Sequence, residues 1–172
     1  MTTFQAIKKV PGKLKTLQSS FLNPEYGDVK IIPVIVKKSM KQSDSNTVYK
    51  ALVRRWAPID ARFKEWYYTQ RSFGPGSTLE IQAQSDIIVF AMLLEDEDDS
   101  ILTLPAPKYR TNEVLPKTVL EKALKVLAAT ALYNKASVHI SGDLLGFPEF
   151  QEQLETLVVG EGVNVNVYMG TP

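Results

Sequence analysis

Hydrophobic and polar positions alternate in blocks along the chain, and each block reads as an element. Residues 4–10 (FQAIKKV) alternate loosely, as a short strand halted by Pro11-Gly12 would. Residues 29–36 (VKIIPVIV) form a dense β-branched run, the pattern of a strand buried on both faces. Pro33 removes one ladder donor from that run, which predicts an edge position or a bulge. The polar stretch 39–47 contains neither glycine nor proline. Ser45 or Asn46 can cap a helix there, with Val48, Leu52 and Trp56 recurring on one face. Pro58 ends that helix, and a second one over 59–72 carries Phe63, Trp66, Tyr67 and Tyr68.

Phe73-Gly74-Pro75-Gly76 is the strongest turn signal, and two strands follow it over 78–82 and 86–94. After an acidic run and an irregular, proline-containing loop, Pro116 suits the first turn of a helix over 116–134. Its buried stripe is Val119, Leu120, Ala123, Leu124, Leu127, Ala131 and Leu132, with Glu121 and Lys125 as an i,i+4 pair. A strand over 136–141, a glycine-containing loop over 141–147 (SGDLLGF) and a helix over 148–157 come next. The last strand, 163–168, sets Val163, Val165 and Val167 against asparagines. Strands separated by helices imply α/β architecture: a three-layer α/β/α sandwich with a mixed, largely parallel sheet.

Composition narrows the chemistry. A chain of 172 residues, 44% hydrophobic, fits a single domain spanning 1–172. Twenty basic residues against nineteen acidic ones leave a net charge of +1, too little excess for a protein built to hold nucleic acid. Without cysteine there is no disulfide scaffold, thiol nucleophile or cysteine metal site, and one histidine leaves no multi-histidine centre. No metal or cofactor is implied. No apolar run reaches membrane length, so the expected location is the cytoplasm, with no membrane partner.

In sheets of this type ligands lie at the carboxyl ends of strands, so the connecting loops hold the candidate chemistry. The 141–147 loop runs into a helix, and its amides and the helix dipole could hold an anion; an ordinary strand-to-helix turn reads equally well. Asp143 within it reads as an exposed loop aspartate before a general base or ribose partner. The 95–99 run (EDEDD) reads as a solvated charge surface before a cation site, and could engage a basic partner. His139, between Val138 and Ile140, reads as a structural histidine in a strand. Arg54 and Arg55 beside Trp56, Trp66, Tyr67 and Tyr68 could stack on nucleic acid, but helix packing accounts for most of those rings. Lys108-Tyr109-Arg110 could cover a pocket.

The order of elements resembles the macrodomain family, an ADP-ribose-binding α/β/α fold. Val10-Pro11-Gly12-Lys13-Leu14 stands where that family has a strand followed by Gly-Asp-Leu or Gly-Asp-Ile. Ala51-Leu52-Val53-Arg54-Arg55-Trp56-Ala57-Pro58, followed by residues 63–67, resembles a stretch found in phage and bacterial members. Residues 87–94, 136–140 and 163–168 resemble the central strand, the strand before the second loop and the last strand.

The departures concern the binding site. Lys13 stands at the place of the adenine-binding aspartate, and Ser39 near that of the family's asparagine. The first glycine-rich loop corresponds to 39–47, which has no glycine, and the second keeps Gly142 and Gly146. The resemblance implies a divergent member that binds ADP-ribose or a related nucleotide in the cleft between the loops 39–47 and 141–147, with ADP-ribosyl hydrolysis as the less favoured extension. Its ligand-binding set is Lys13, Ser39, Ser141, Gly142, Asp143, Gly146, Phe147 and Tyr109, with no catalytic residue. The alternative is a catalytically dead accessory protein, phage-encoded by analogy with those members, that binds a protein partner.

Overall fold

The computed structural model describes residues 10–25, 27–38, 42, 46–69, 74, 76–95, 117–146 and 149–171. Among them are β1 (Leu14–Leu17), β2 (Val29–Lys37), α1 (Thr47–Arg55), α2 (Pro58–Thr69), β3 (Thr78–Gln84) and β4 (Ile87–Glu95). Then follow α3 (Lys117–Asn134), β5 (Ala136–Ser141), a 3-10 turn (Gly142–Gly146), α4 (Phe150–Leu157) and β6 (Val165–Tyr168). The strands form one sheet in the order β1-β6-β5-β2-β4-β3, parallel throughout except for β3 against β4. This is a mixed α/β sandwich. No helix among the described residues is long and apolar enough to cross a membrane.

The core sits where the sequence is most continuously apolar. Residues 31–37 of β2 and 87–94 of β4 are buried at every position, so both faces of the central sheet are covered. α1 and α3 pack on β2, and α2 packs on β3. Tyr49, Phe63 and Trp66 form a run of edge-to-face rings between the first two helices. In α3 the buried stripe holds from Leu120 to Ala131, but Leu132 is 48% exposed. The rotation of the last helical turn carries it past the sheet.

Several expectations are corrected. The strand expected over 4–10 lies outside the described residues except for Val10, which is exposed and not in a strand. The first described strand is instead Leu14–Leu17, paired in parallel with β6 from Leu14↔Val165 onward. Pro33 occupies neither an edge nor a bulge. β2 is central, with β4 on one side and β5 on the other, and its register shift falls between Val36 and Lys37. The proline is tolerated because pairing with β5 stops at Ile31, which leaves no ladder acceptor on that side for position 33.

Beyond that point two side chains replace the missing strand. The Asn46 amide donates to the Ile35 carbonyl at 2.9 Å. The Gln42 amide brackets Lys37, accepting from its N–H at 2.9 Å and donating to its carbonyl at 3.0 Å. Both amides are buried, and they satisfy backbone groups that would otherwise be orphaned.

Candidate functional site

Because β1, β6, β5, β2 and β4 run parallel, their carboxyl ends share one rim of the sheet. That rim carries Gln18 and Ser19 after β1, Lys38, Gln42 and Asn46 after β2, the Gly142–Gly146 turn after β5, and Met169 and Gly170 after β6. Two of these segments are tied together. Asn46 caps α1 by accepting from the Tyr49 N–H at 3.2 Å, which fixes where that helix begins. The hydroxyl of Thr47, its first residue, donates to Asp143 Oδ2 at 3.1 Å. Asp143 thereby sets a carboxylate beside the amino terminus of α1, where the helix dipole favours negative charge.

The second loop is not an open glycine cradle. Residues 142–146 wind into a 3-10 turn, whose internal hydrogen bonds use amides that a phosphate would need. Ser141 Oγ accepts from the Asp143 N–H at 3.2 Å, so that amide is also engaged. Neither Gly142 nor Gly146 has a positive φ. Gly142 is there for closeness: a Cβ would lie 2.5 Å from Met169 Sδ and 3.4 Å from the Tyr168 carbonyl. The turn presents the Asp143 side chain outward, with Ser141 and Leu144 buried beneath it.

Of the eight residues expected at the site, Ser141, Gly142, Asp143 and Gly146 are brought together on this rim. Ser39, Phe147 and Tyr109 lie outside the described residues, as do Lys108, Arg110 and the 96–99 part of the acidic run. Lys13 is the correction. It precedes β1 and its amide N–H donates to Asn164 Oδ1 at 2.9 Å, at the amino end of the sheet. Matching it to the family's aspartate placed a strand before Gly12; the strand follows it, and the carboxyl end of β1 is at Leu17. Sequence reasoning missed Gln42 and Thr47, and it missed Lys37, whose charged side chain is buried at the end of β2.

His139 behaves as a structural residue, and its surroundings are specific. Fully buried on β5, its ring hydrogen-bonds with Ser137 Oγ and with Tyr168 Oη, each at 2.7 Å. Tyr168 Oη in turn accepts from the Glu25 N–H at 2.9 Å. Burial, with the Lys30 ammonium as a second cause, pushes the imidazole down to about 4. At neutral pH it is an uncharged bridge between polar groups of β5 and β6.

The sequence matches no known family profile and no curated protein. Solved structures do match. A macrodomain protein from Streptomyces coelicolor aligns over 91% of this chain and 99% of its own at 18% identity, with a TM-score of 0.75. A protein of unknown function from Bacteroides thetaiotaomicron aligns over 93% and 99% at 19% identity, with a TM-score of 0.74. The macrodomain of Thermus aquaticus DarG aligns over 92% and 99% at 15% identity, with a TM-score of 0.63. Identities this low speak for architecture alone, and by its architecture the chain is a divergent, macrodomain-like protein.

Proposed function

We propose that the protein binds ADP-ribose, or a nucleotide diphosphate like it, in the cleft between the 39–47 and 141–147 loops, and does not turn it over. The observation that carries this reading is the Thr47–Asp143 hydrogen bond, which joins those two loops at the carboxyl ends of β2 and β5. In a macrodomain-like frame that rim is the natural place for a ligand. Asp143 offers an exposed carboxylate to ribose hydroxyls, the early amides of α1 face the diphosphate, and Lys37 places a cation at the end of β2. Turnover is left out because the loop 39–47 has no glycine with which to wrap a reacting ribose closely.

Calorimetric titration with ADP-ribose tests this directly, with a thermal melt alongside. At 100 times the dissociation constant the ligand adds about 2.7 kcal/mol of stability, readily seen in the melt. Asp143→Ala is expected to weaken binding by about tenfold, the worth of a charge-assisted hydrogen bond. Gly142→Val is expected to do at least as much while the fold survives, because the new Cβ meets the end of a Met169 side chain that is 54% exposed and can swing away. The reading fails if a folded sample shows no saturable heat, or if both variants bind as the parent does.

A further inference from the structure

At the opposite end of the sheet lies a cavity of about 270 Å³, lined by Lys13, Lys15, Gly27, Ser137, Asn164 and Asn166. We propose that it is a second ligand site, for a phosphate group that is free or carried on a small metabolite.

The cavity is built by strand register. Lys15 on β1, Asn166 on β6 and His139 on β5 are side-by-side partners and share one face of the sheet. Ser137 stands two residues earlier on β5 and so on the same face, while Lys13 and Asn164, just before β1 and β6, complete the lining. The segment joining β1 to β2 lies over them, with Glu25 bonded to Tyr168 and Gly27 against Ser137. Gly27 has φ +97, and a Cβ there would lie 2.5 Å from Ser137 Oγ, so no other residue lets this segment approach so closely.

The chemistry of the lining is one-sided. Two ammonium groups, a hydroxyl and two carboxamides converge, and among the described lining residues none is acidic. Lys13 and Lys15 both line the cavity, and an anion there is attracted by two positive charges. Asn166 is 4% exposed, yet among the described residues its amide nitrogen makes only long contacts, 3.4 Å to the Glu25 carbonyl and 3.5 Å to His139 Nδ1. A buried carboxamide held this loosely has hydrogen-bonding capacity left for a ligand. Asn164 Oδ1 is taken by the Lys13 N–H, which fixes the orientation of its amide. Behind Ser137, the uncharged His139 holds the hydroxyl in place without adding charge.

Size sets the ligand class. At about 30 Å³ per water molecule the space equals roughly nine waters, enough for a phosphate with a short tail and too little for a dinucleotide.

The test is titration of the intact protein with inorganic phosphate and with glycerol 3-phosphate at constant ionic strength, read by calorimetry and by amide NMR shifts. Saturable binding is expected, with shifts at Lys13, Gly27 and Asn164. The double variant Lys13→Ala/Lys15→Ala should lose at least tenfold in affinity with an unchanged melt, since both side chains are exposed. Shifts at Lys13, Gly27 and Asn164 with none at 141–146 separate this site from the cleft at the other rim. Tighter binding of glycerol 3-phosphate would assign the carried phosphate, and equal binding the free ion. Absence of saturation, equal affinity in the double variant, or shifts confined to 141–146 would overturn the proposal.

Discussion

Lowering the pH from 7 to 4 is expected to remove roughly 3 kcal/mol of folding stability through a single residue, His139. The imidazole titrates near 6.5 in the unfolded chain and at about 4 in the folded protein. Between those values the unfolded state takes up a proton that the folded state refuses, so unfolding gains about 1.4 kcal/mol per pH unit. This contribution is therefore complete above pH 6.5, falls as the pH drops, and levels off below about 4. For a protein of this length the loss corresponds to a melting temperature lower by roughly 6–12 °C.

The physical cause is burial first and the Lys30 cation second. Lys30 is fixed nearby by its ion pair with Asp86, at 2.9 Å. A protonated ring would sit among the Ser137 and Tyr168 hydroxyls and the Asn166 amide nitrogen, with no carboxylate among these partners to compensate it. The carboxylates titrate in a separate window. Burial pushes Asp60 up, but hydrogen bonds from Lys64 and Tyr49 hold it below its ordinary value, and the Lys30 bond does the same for Asp86. Their contributions are lost only below the ordinary carboxylate range, beneath most of the histidine window. Denaturant unfolding at half-unit pH steps, repeated on His139→Gln, separates the two: the variant should be less stable at pH 7 but nearly flat from 6.5 to 4.5. An equal slope in parent and variant would place the acid sensitivity elsewhere.

What the sequence made legible follows from which forces act locally. β4 and α3 declare themselves because their apolar residues are contiguous or recur at helical spacing, and burial then follows the pattern. β1 does not. Three of its four residues are exposed, and it exists as a strand because β6 pairs with it, which is a long-range contact. Pro33 misled for the same reason: whether a proline suits a central strand depends on where the neighbouring strand stops.

The alternation of valine with asparagine over 163–168 does not say which face is covered. Asn166 is buried with the Glu25 carbonyl against its amide, and nothing within 163–168 encodes this. The signal that was present lay across strands: Lys13-x-Lys15, Ser137-x-His139 and Asn164-x-Asn166 share a period of two, and only the register aligns them. On the other rim, the closeness of 141–147 to the start of α1 was legible from fold resemblance. The replacement of a strand by Gln42 and Asn46 was not, because amide side chains in a polar loop read the same whether buried or solvated.

Asn46→Ala is the substitution expected to couple the fold and the cleft most tightly. The side chain does two jobs at once, capping α1 through the Tyr49 N–H and satisfying the Ile35 carbonyl. Losing the cap costs about 1 kcal/mol, and leaving a buried carbonyl without a donor costs about 1–3 kcal/mol more. A total near 2–4 kcal/mol is expected, measurable by denaturant unfolding. Asn46→Asp keeps the cap acceptor but sets a carboxylate oxygen against the Ile35 carbonyl, so it should recover little of that loss. Thr47→Val removes the bond to Asp143 from a residue outside the Asn46 network, and it should cost less than 1 kcal/mol because that bond is exposed. If ADP-ribose binding depends on the two loops being joined, Thr47→Val should weaken it severalfold at nearly full stability. Asn46→Ala should weaken it further even in conditions where the protein is fully folded, because the start of α1 is no longer held to the end of β2. A stability loss for Asn46→Ala no larger than that for Thr47→Val would show that the buried amide does not hold this rim together.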